Sequence, residues 1–249
     1  MVCSCRDFRD ASNRQFNAEK AAKELQACQK GRLGPTTRLM RDGVVDLGLN
    51  RGSLLDIGGG VGALTFELLD RGTTTAVVAD ASAAYAAAAR DEALRRGRTE
   101  SATVVHGDLL QLSAQLPAAD LVTLDRVVCC YPAYEPMLEE ATRHALRGFA
   151  VSYPRDRWFV RAGMRLENAR RARKSGFRTF VHPPTQMQQV IESAGFELTR
   201  RRTTVMWSID IFVRREGGGR LRYRASAQDT QGERRRDHSD LRSGRPRPM

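Results

Sequence analysis

Short apolar runs alternate with longer stretches of helical period along residues 51–215. The runs SLLDIG (53–58), TTAVVAD (74–80), ATVVHG (102–107), DLVTLD (120–125) and GFAVSY (148–153) are mostly apolar at consecutive positions, as expected of strands buried on both faces. Between the second and third lies SAAYAAAARDEALRRG (82–97), where Ser82 can cap, the alanines favour helix, arginines fill the last turn and Gly97 stops it. After the fifth run comes an amphipathic, arginine-rich insert, RDRWFVRAGMRLENARRARKSGF (155–177). HPPTQMQQVIESAGF (182–196) then reads as a helix started after Pro183 and Pro184 and stopped by Gly195. Two last strands fit FELTRRRTT (196–204) and VMWSIDIFVRR (205–215), expected to form an antiparallel edge hairpin. Ahead of the sheet, residues 13–30 and 35–49 read as two helices separated by GRLGP. Strands alternating with helices predict an α/β fold with a doubly wound, mostly parallel sheet, N-terminal helices and a helical insert after strand five.

Composition sets the boundaries. The 249 residues, 41% hydrophobic and 28% charged, can bury one sizeable core. They divide into an N-terminal helical extension (1–50), a main domain (51–215) and a basic tail (216–249). The tail is rich in Gly, Arg, Ser and Asp with almost no apolar residues, which predicts disorder. It carries much of the formal net charge of +12, and its arginines lack interleaved aromatics, so a nucleic-acid partner is not favoured. No run of about 18 apolar residues is present to span a membrane, and MVCSCRDFRD lacks the apolar core of a secretory signal. Five cysteines, two of them adjacent at Cys129 and Cys130, do not form a disulfide framework. The expected setting is therefore cytoplasmic. Cys3 and Cys5 have no second ligand pair at zinc spacing, and no metal is expected.

The chemistry concentrates in LLDIGGGVGALTFELLDRG (54–72), where glycines at 58, 59, 60 and 62 follow the first strand and open a helix. In open α/β sheets that is where ligands bind. A nucleoside triphosphate is the weakest candidate because no Gly-Lys-Ser/Thr follows the glycines. A dinucleotide is harder to exclude, since Gly58, Gly60 and Ala63 satisfy G-x-G-x-x-A and Asp80 ends the second strand. Asp56 argues against it: a carboxylate two residues before the glycines repels a pyrophosphate and suits a ligand with an ammonium group. S-adenosylmethionine is such a ligand.

DIGGGVG (56–62) resembles the D/E-x-G-x-G-x-G loop of class I, seven-stranded S-adenosylmethionine-dependent methyltransferases. Asp80 in VVADAS stands where that family keeps the acid for the ribose hydroxyls, and Asp108 in HGDLL where it keeps a carboxylate near the adenine amino group. The resemblance covers residues 53–215 and implies a Rossmann-like methyltransferase fold. It implies cofactor contacts at Asp56, Gly58, Gly60, Gly62, Asp80, Ala81, Asp108, Leu109 and Asp125. The glycines would let the backbone pass against the cofactor, where a β-carbon would collide. DRVVCCYP (125–132) and FVHPP (180–184) are also similar to bacterial methyltransferases grouped loosely with magnesium-protoporphyrin and quinone-type enzymes.

By the same resemblance, the exit of the fourth strand, DLVTLDRVVCCYPAY (120–134), faces the methyl acceptor. Enzymes that methylate base or glutamine amino groups usually carry Asn/Asp-Pro-Pro-Tyr/Phe there, and this chain has Asp125-Arg126-Val127-Val128 instead. Cys129 and Cys130 near Pro132 keep a nucleophilic cysteine in view beside a plain packing role. A small-molecule acceptor, methylated at a hydroxyl or carboxylate, is the expected partner. Asp125, Tyr131 and His182 are the catalytic candidates, and Arg126, Tyr131 and Trp158 the acceptor-binding ones. A nicotinamide-dependent oxidoreductase, and an RNA methyltransferase or RNA-binding protein, remain the competing readings.

Overall fold

The structure, a computed structural model, describes residues 5–216. The tail beyond Glu216, and Cys3 of the C-x-C pair, lie outside them. Seven strands form one sheet: β1 (Gly52–Ile57), β2 (Thr73–Asp80), β3 (Ala102–His106), β4 (Ala119–Leu124), β5 (Ala145–Pro154), β6 (Phe196–Thr203) and β7 (Trp207–Arg214). Their order is β3-β2-β1-β4-β5-β7-β6. The first five are parallel, and β7 runs antiparallel between β5 and β6. The last two strands thus pair as expected, but only β6 is an edge. β7 is apolar on both faces at Ile209, Ile211 and Phe212, and slots inside; β6 exposes Arg200, Arg201 and Arg202 in part and takes the rim.

Helices cover both faces, because β1, β4 and β5 bury nearly every side chain and leave neither face fit for water. On one face α3 (Pro35–Asp46) and α4 (Ala63–Leu69) pack Met40, Val44, Phe66 and Leu68 against Leu54, Leu121 and Ile211. Gly43 permits that contact, since a β-carbon there would fall 2.4 Å from Ile211 Cδ1. The same side carries α5 (Ala83–Arg95), capped by Ser82 as predicted. The other face is covered by α7 (Tyr134–His144) and α9 (Pro184–Ser193), which pack Met137, Leu138, Met187 and Ile191 around Phe149, Phe196 and Phe212. Each fully buried phenylalanine contributes about 1.5–3 kcal/mol. The insert after β5 is α8 (Trp158–Ala172), and α6 (Leu109–Leu112) is a single turn after β3.

The helix expected over 13–30 is two helices, α1 (Cys5–Gln15) and α2 (Ala18–Gln29). Asn17 divides them: extended at φ −87 and ψ 175, it accepts the Lys20 N–H on its side chain and caps α2. The break bends α1 back, and Phe16 at the corner stacks edge-on against both Tyr85 and Phe177, with centroids 5.7 and 5.2 Å away.

Candidate active site

The carboxyl ends of β1, β2 and β4 meet at the crossover of the sheet, and an open cleft lies there under α1, α2 and α3. About 1100 Å³ of space, solvent at the mouth included, is walled by the glycine loop, Asp80–Ser82, Tyr85 and Asp125–Val127, with Glu24 and Thr37 from the N-terminal helices and Phe16 from the corner between α1 and α2. Those helices therefore form one wall of the cleft.

The glycine loop has two kinds of glycine. Gly58, Gly60 and Gly62 all sit at positive φ, +64, +61 and +79. A β-carbon at Gly58 would fall 2.4 Å from Val127 Cγ2, and one at Gly62 2.5 Å from Phe66 Cε2, so these two are required by the protein's own packing. At Gly60 a β-carbon would meet Tyr85 at 3.4 Å as its nearest neighbour. That glycine alone of the three leaves space on the cleft side. Gly59, not singled out from the sequence, leaves room for Asp56, whose Oδ2 would lie 2.7 Å from its β-carbon.

Four carboxylates line the cleft: Glu24, Asp56, Asp80 and Asp125. Asp56 is buried and accepts the hydroxyls of Thr65 and Thr123, each at 2.7 Å. Burial outweighs those bonds and pushes its carboxyl up to about 6. Asp80 accepts Gly60 N–H at 2.9 Å and Ser82 N–H at 2.7 Å, and burial again raises it to about 6. Asp125 accepts Thr37 and Ser152 hydroxyls, each at 2.6 Å, and Thr36 more weakly at 3.4 Å. Ser152 in turn accepts the N–H of Arg126 at 2.8 Å, which helps hold that residue at φ 63, left-handed for a non-glycine. Arg126 is the one cation among the residues lining the cleft, and its Nε stays 4.0 Å from Asp125.

The remaining expected residues fall in different places. Ala81, Leu109 and Tyr131 line the cleft, whereas Asp108 lies behind it. Asp108 caps α6 through Leu110 N–H and accepts the Tyr131 hydroxyl. His182 is not at the cleft: its Nε2 lies 2.9 Å from Tyr131 O and 3.2 Å from Val128 O, so it donates to loop carbonyls as neutral imidazole. Burial lowers its pKa, which fits that role. Trp158 is also elsewhere, 82% exposed on α8. Cys130 reaches the cleft, but its thiol is raised well above its ordinary value, first by the hydrogen bond with Cys129 and then by burial. A thiol so held is a poor nucleophile. Thr37, Ser152, Phe16, Glu24 and Tyr85 were not found from the sequence; three come from the N-terminal segment, which has no motif of its own.

Residues 54–148 match the profile of the methyltransferase domain family. Over that span the chain is similar to a methyltransferase domain. Its fold is that of class I, Rossmann-like S-adenosylmethionine-dependent methyltransferases. Magnesium protoporphyrin IX methyltransferase from Synechocystis, solved with bound S-adenosylhomocysteine, superposes with a TM-score of 0.64 at 19% identity, covering 83% of this chain and 98% of that one. An O-methyltransferase family protein from Burkholderia thailandensis gives 0.62 at 19% identity, covering 81% and 64%. A putative RNA methyltransferase from Pyrococcus horikoshii gives 0.54 at 14% identity, covering 74% and 83%. No curated protein matches this chain significantly. Among the described residues, no helix is long and apolar enough to cross a membrane.

Proposed function

We propose that this methyltransferase takes S-adenosylmethionine and methylates a small-molecule acceptor at oxygen. The observation that carries the reading is the charge of the cleft: four carboxylates against one arginine, with two of the carboxyls raised to about 6 by burial. Such a wall repels a pyrophosphate and is relieved by a cation. Gly60 supports the same ligand by leaving the loop bare where a ribose and sulfonium would pass.

In this reading Asp80 holds the ribose hydroxyls, Asp56 and Asp125 balance the positive charge, and Leu109 and Tyr131 flank the adenine. When bound, the cofactor supplies a methyl group activated by its sulfonium. The chain's own contribution is to hold the acceptor in line and exclude water, which α1 and α2 do by closing over the cleft. Asp125 already accepts three hydroxyls and the Tyr131 hydroxyl donates to Asp108, so both are already engaged within the protein. That favours a carboxylate acceptor, which needs no deprotonation, over a hydroxyl. Arg126 is placed to pair with it. A cytoplasmic setting belongs to this reading, with Cys28, Cys129 and Cys130 as free thiols.

The test is calorimetry on the full chain with S-adenosylhomocysteine, NADH and single-stranded RNA in turn. Micromolar binding of S-adenosylhomocysteine without NADH binding is expected. NADH binding in its place would establish the oxidoreductase, and tight RNA binding at physiological salt would redirect the acceptor to nucleic acid.

A further inference from the structure

We infer that α8 and the β6–β7 turn form a docking face for an anionic lipid bilayer. Soluble surfaces scatter their exposed apolar side chains, yet five of the eight large exposed ones among the described residues gather here: Trp158, Phe159 and Leu166 on α8, and Val205 and Met206 in the turn. The two elements are joined, since Arg155 N–H donates to Met206 O at 2.8 Å and its guanidinium to Thr204 O at 3.0 Å.

The helix has the build of one that lies in a membrane interface. Val160 is its buried residue and faces the protein. At 3.6 residues per turn, Trp158, Phe159, Ala162, Leu166 and Ala169 share an outward arc of about 100° roughly opposite Val160. Exposed arginines border that arc on both sides, Arg161 and Arg165 on one and Arg170 on the other. Arg161 is partly neutralised by Asp156 at 2.5 Å, and Arg165 and Arg170 have their heads in water. An apolar arc a few ångströms deep, flanked by cations, matches the boundary between acyl chains and anionic headgroups.

Other occupants fit less well. Single-stranded RNA stacks on ring faces, and Leu166, Val205 and Met206 offer none. A second copy would set arginine against arginine across a two-fold axis. The location also suits a bilayer: α8 leaves β5 at the end of the sheet where the cleft opens, and its far end is tied to α1 by Arg14 Nε donating to Ser175 O at 3.0 Å.

Vesicle binding by the full chain tests the inference, with neutral phosphatidylcholine compared against vesicles containing about a third phosphatidylserine. Each arginine near the anionic surface strengthens binding by roughly fivefold, so the anionic vesicles are expected to win clearly. The chain has two tryptophans, so Trp207→Phe leaves Trp158 as sole reporter. Its emission is expected to shift to the blue and to be quenched by lipids brominated near the headgroup. Trp158→Ser with Leu166→Ser, both exposed, is expected to leave the melting temperature unchanged and to weaken anionic-vesicle binding at least tenfold. Absence of quenching would overturn the inference. So would vesicle binding that the double substitution does not change, which would assign it to the basic tail. Loss of a dimer or of RNA affinity in the double variant, without loss of vesicle binding, would assign the face to those partners.

Discussion

Asp80 holds Gly60: the carboxylate at the end of β2 accepts the N–H in the middle of the glycine loop at 2.9 Å, while its other oxygen takes Ser82 N–H. One side chain therefore sets the loop, the start of α5 and, in the proposed reaction, the ribose. Asp80→Ala is expected to weaken S-adenosylhomocysteine roughly 10- to 150-fold, the loss of a charge-assisted bond of about 1.5–3 kcal/mol. Calorimetry on the folded variant measures it. Unchanged affinity would remove Asp80 from the cofactor site.

The glycines separate fold from function. Gly58→Ala places a methyl against Val127 and is expected to lower the melting temperature sharply. Gly60→Ala meets only Tyr85, at contact distance, and costs about 1–2 kcal/mol for the left-handed backbone, a few degrees in a chain of this size. Its main expected effect is on cofactor affinity. Thermal melts paired with titrations decide the matter, and Gly60→Ala with full affinity would mean the loop serves only its turn.

The carboxyls of Asp56 and Asp80 predict a pH dependence. Both stand at about 6 when folded, above their unfolded value of 3.8. Their contribution to stability is thus complete below pH 3.8 and lost as pH rises through 6. A bound cation restores what ionisation costs, so S-adenosylmethionine is expected to bind more tightly as pH rises from 5 to about 7, releasing protons as it binds. Titrations in two buffers of different ionisation enthalpy count those protons. An affinity flat across this range would show that neither carboxyl senses the cofactor.

Glu92 joins the N-terminal wall to the body. Its fully buried carboxylate takes Arg95, Arg96 and Gln29 of α2, and the hydrogen bond from Arg95, foremost, lowers it to about 2. A lowered pKa contributes stability above 4.5 that is lost as pH falls toward 2. Glu92→Ala is expected to cost about 1–3 kcal/mol and to weaken the cofactor by loosening α2, which carries Glu24. Melting and affinity measured at neutral pH check both. A loss of stability with affinity unchanged would show that α2 does not shape the cleft.

The strand pattern and the acids at strand ends were legible because both are local. Consecutive apolar residues make a strand that must be buried on both faces, and the carboxyl ends of such strands are where Asp56, Asp80 and Asp125 sit. The division of the glycines was not legible, because Val127 and Phe66 reach the loop only in the folded state. The partners of His182 and Asp108 were hidden for the same reason: the carbonyls that His182 caps and the hydroxyl that Asp108 accepts lie on another segment, about 50 and 23 residues away.

The sequence by itself determined the doubly wound sheet, the cap of α5 at Ser82 and the negative charge of the ligand site, since periodicity, capping and side-chain charge travel with the residues. Only the tertiary structure decided that α1–α3 wall the cleft, that Asp125 is loaded by Thr37 and Ser152, and that Trp158 points to solvent. Those facts depend on which segments meet in space, and a contact between residues 37 and 125 leaves no mark on the local order of either.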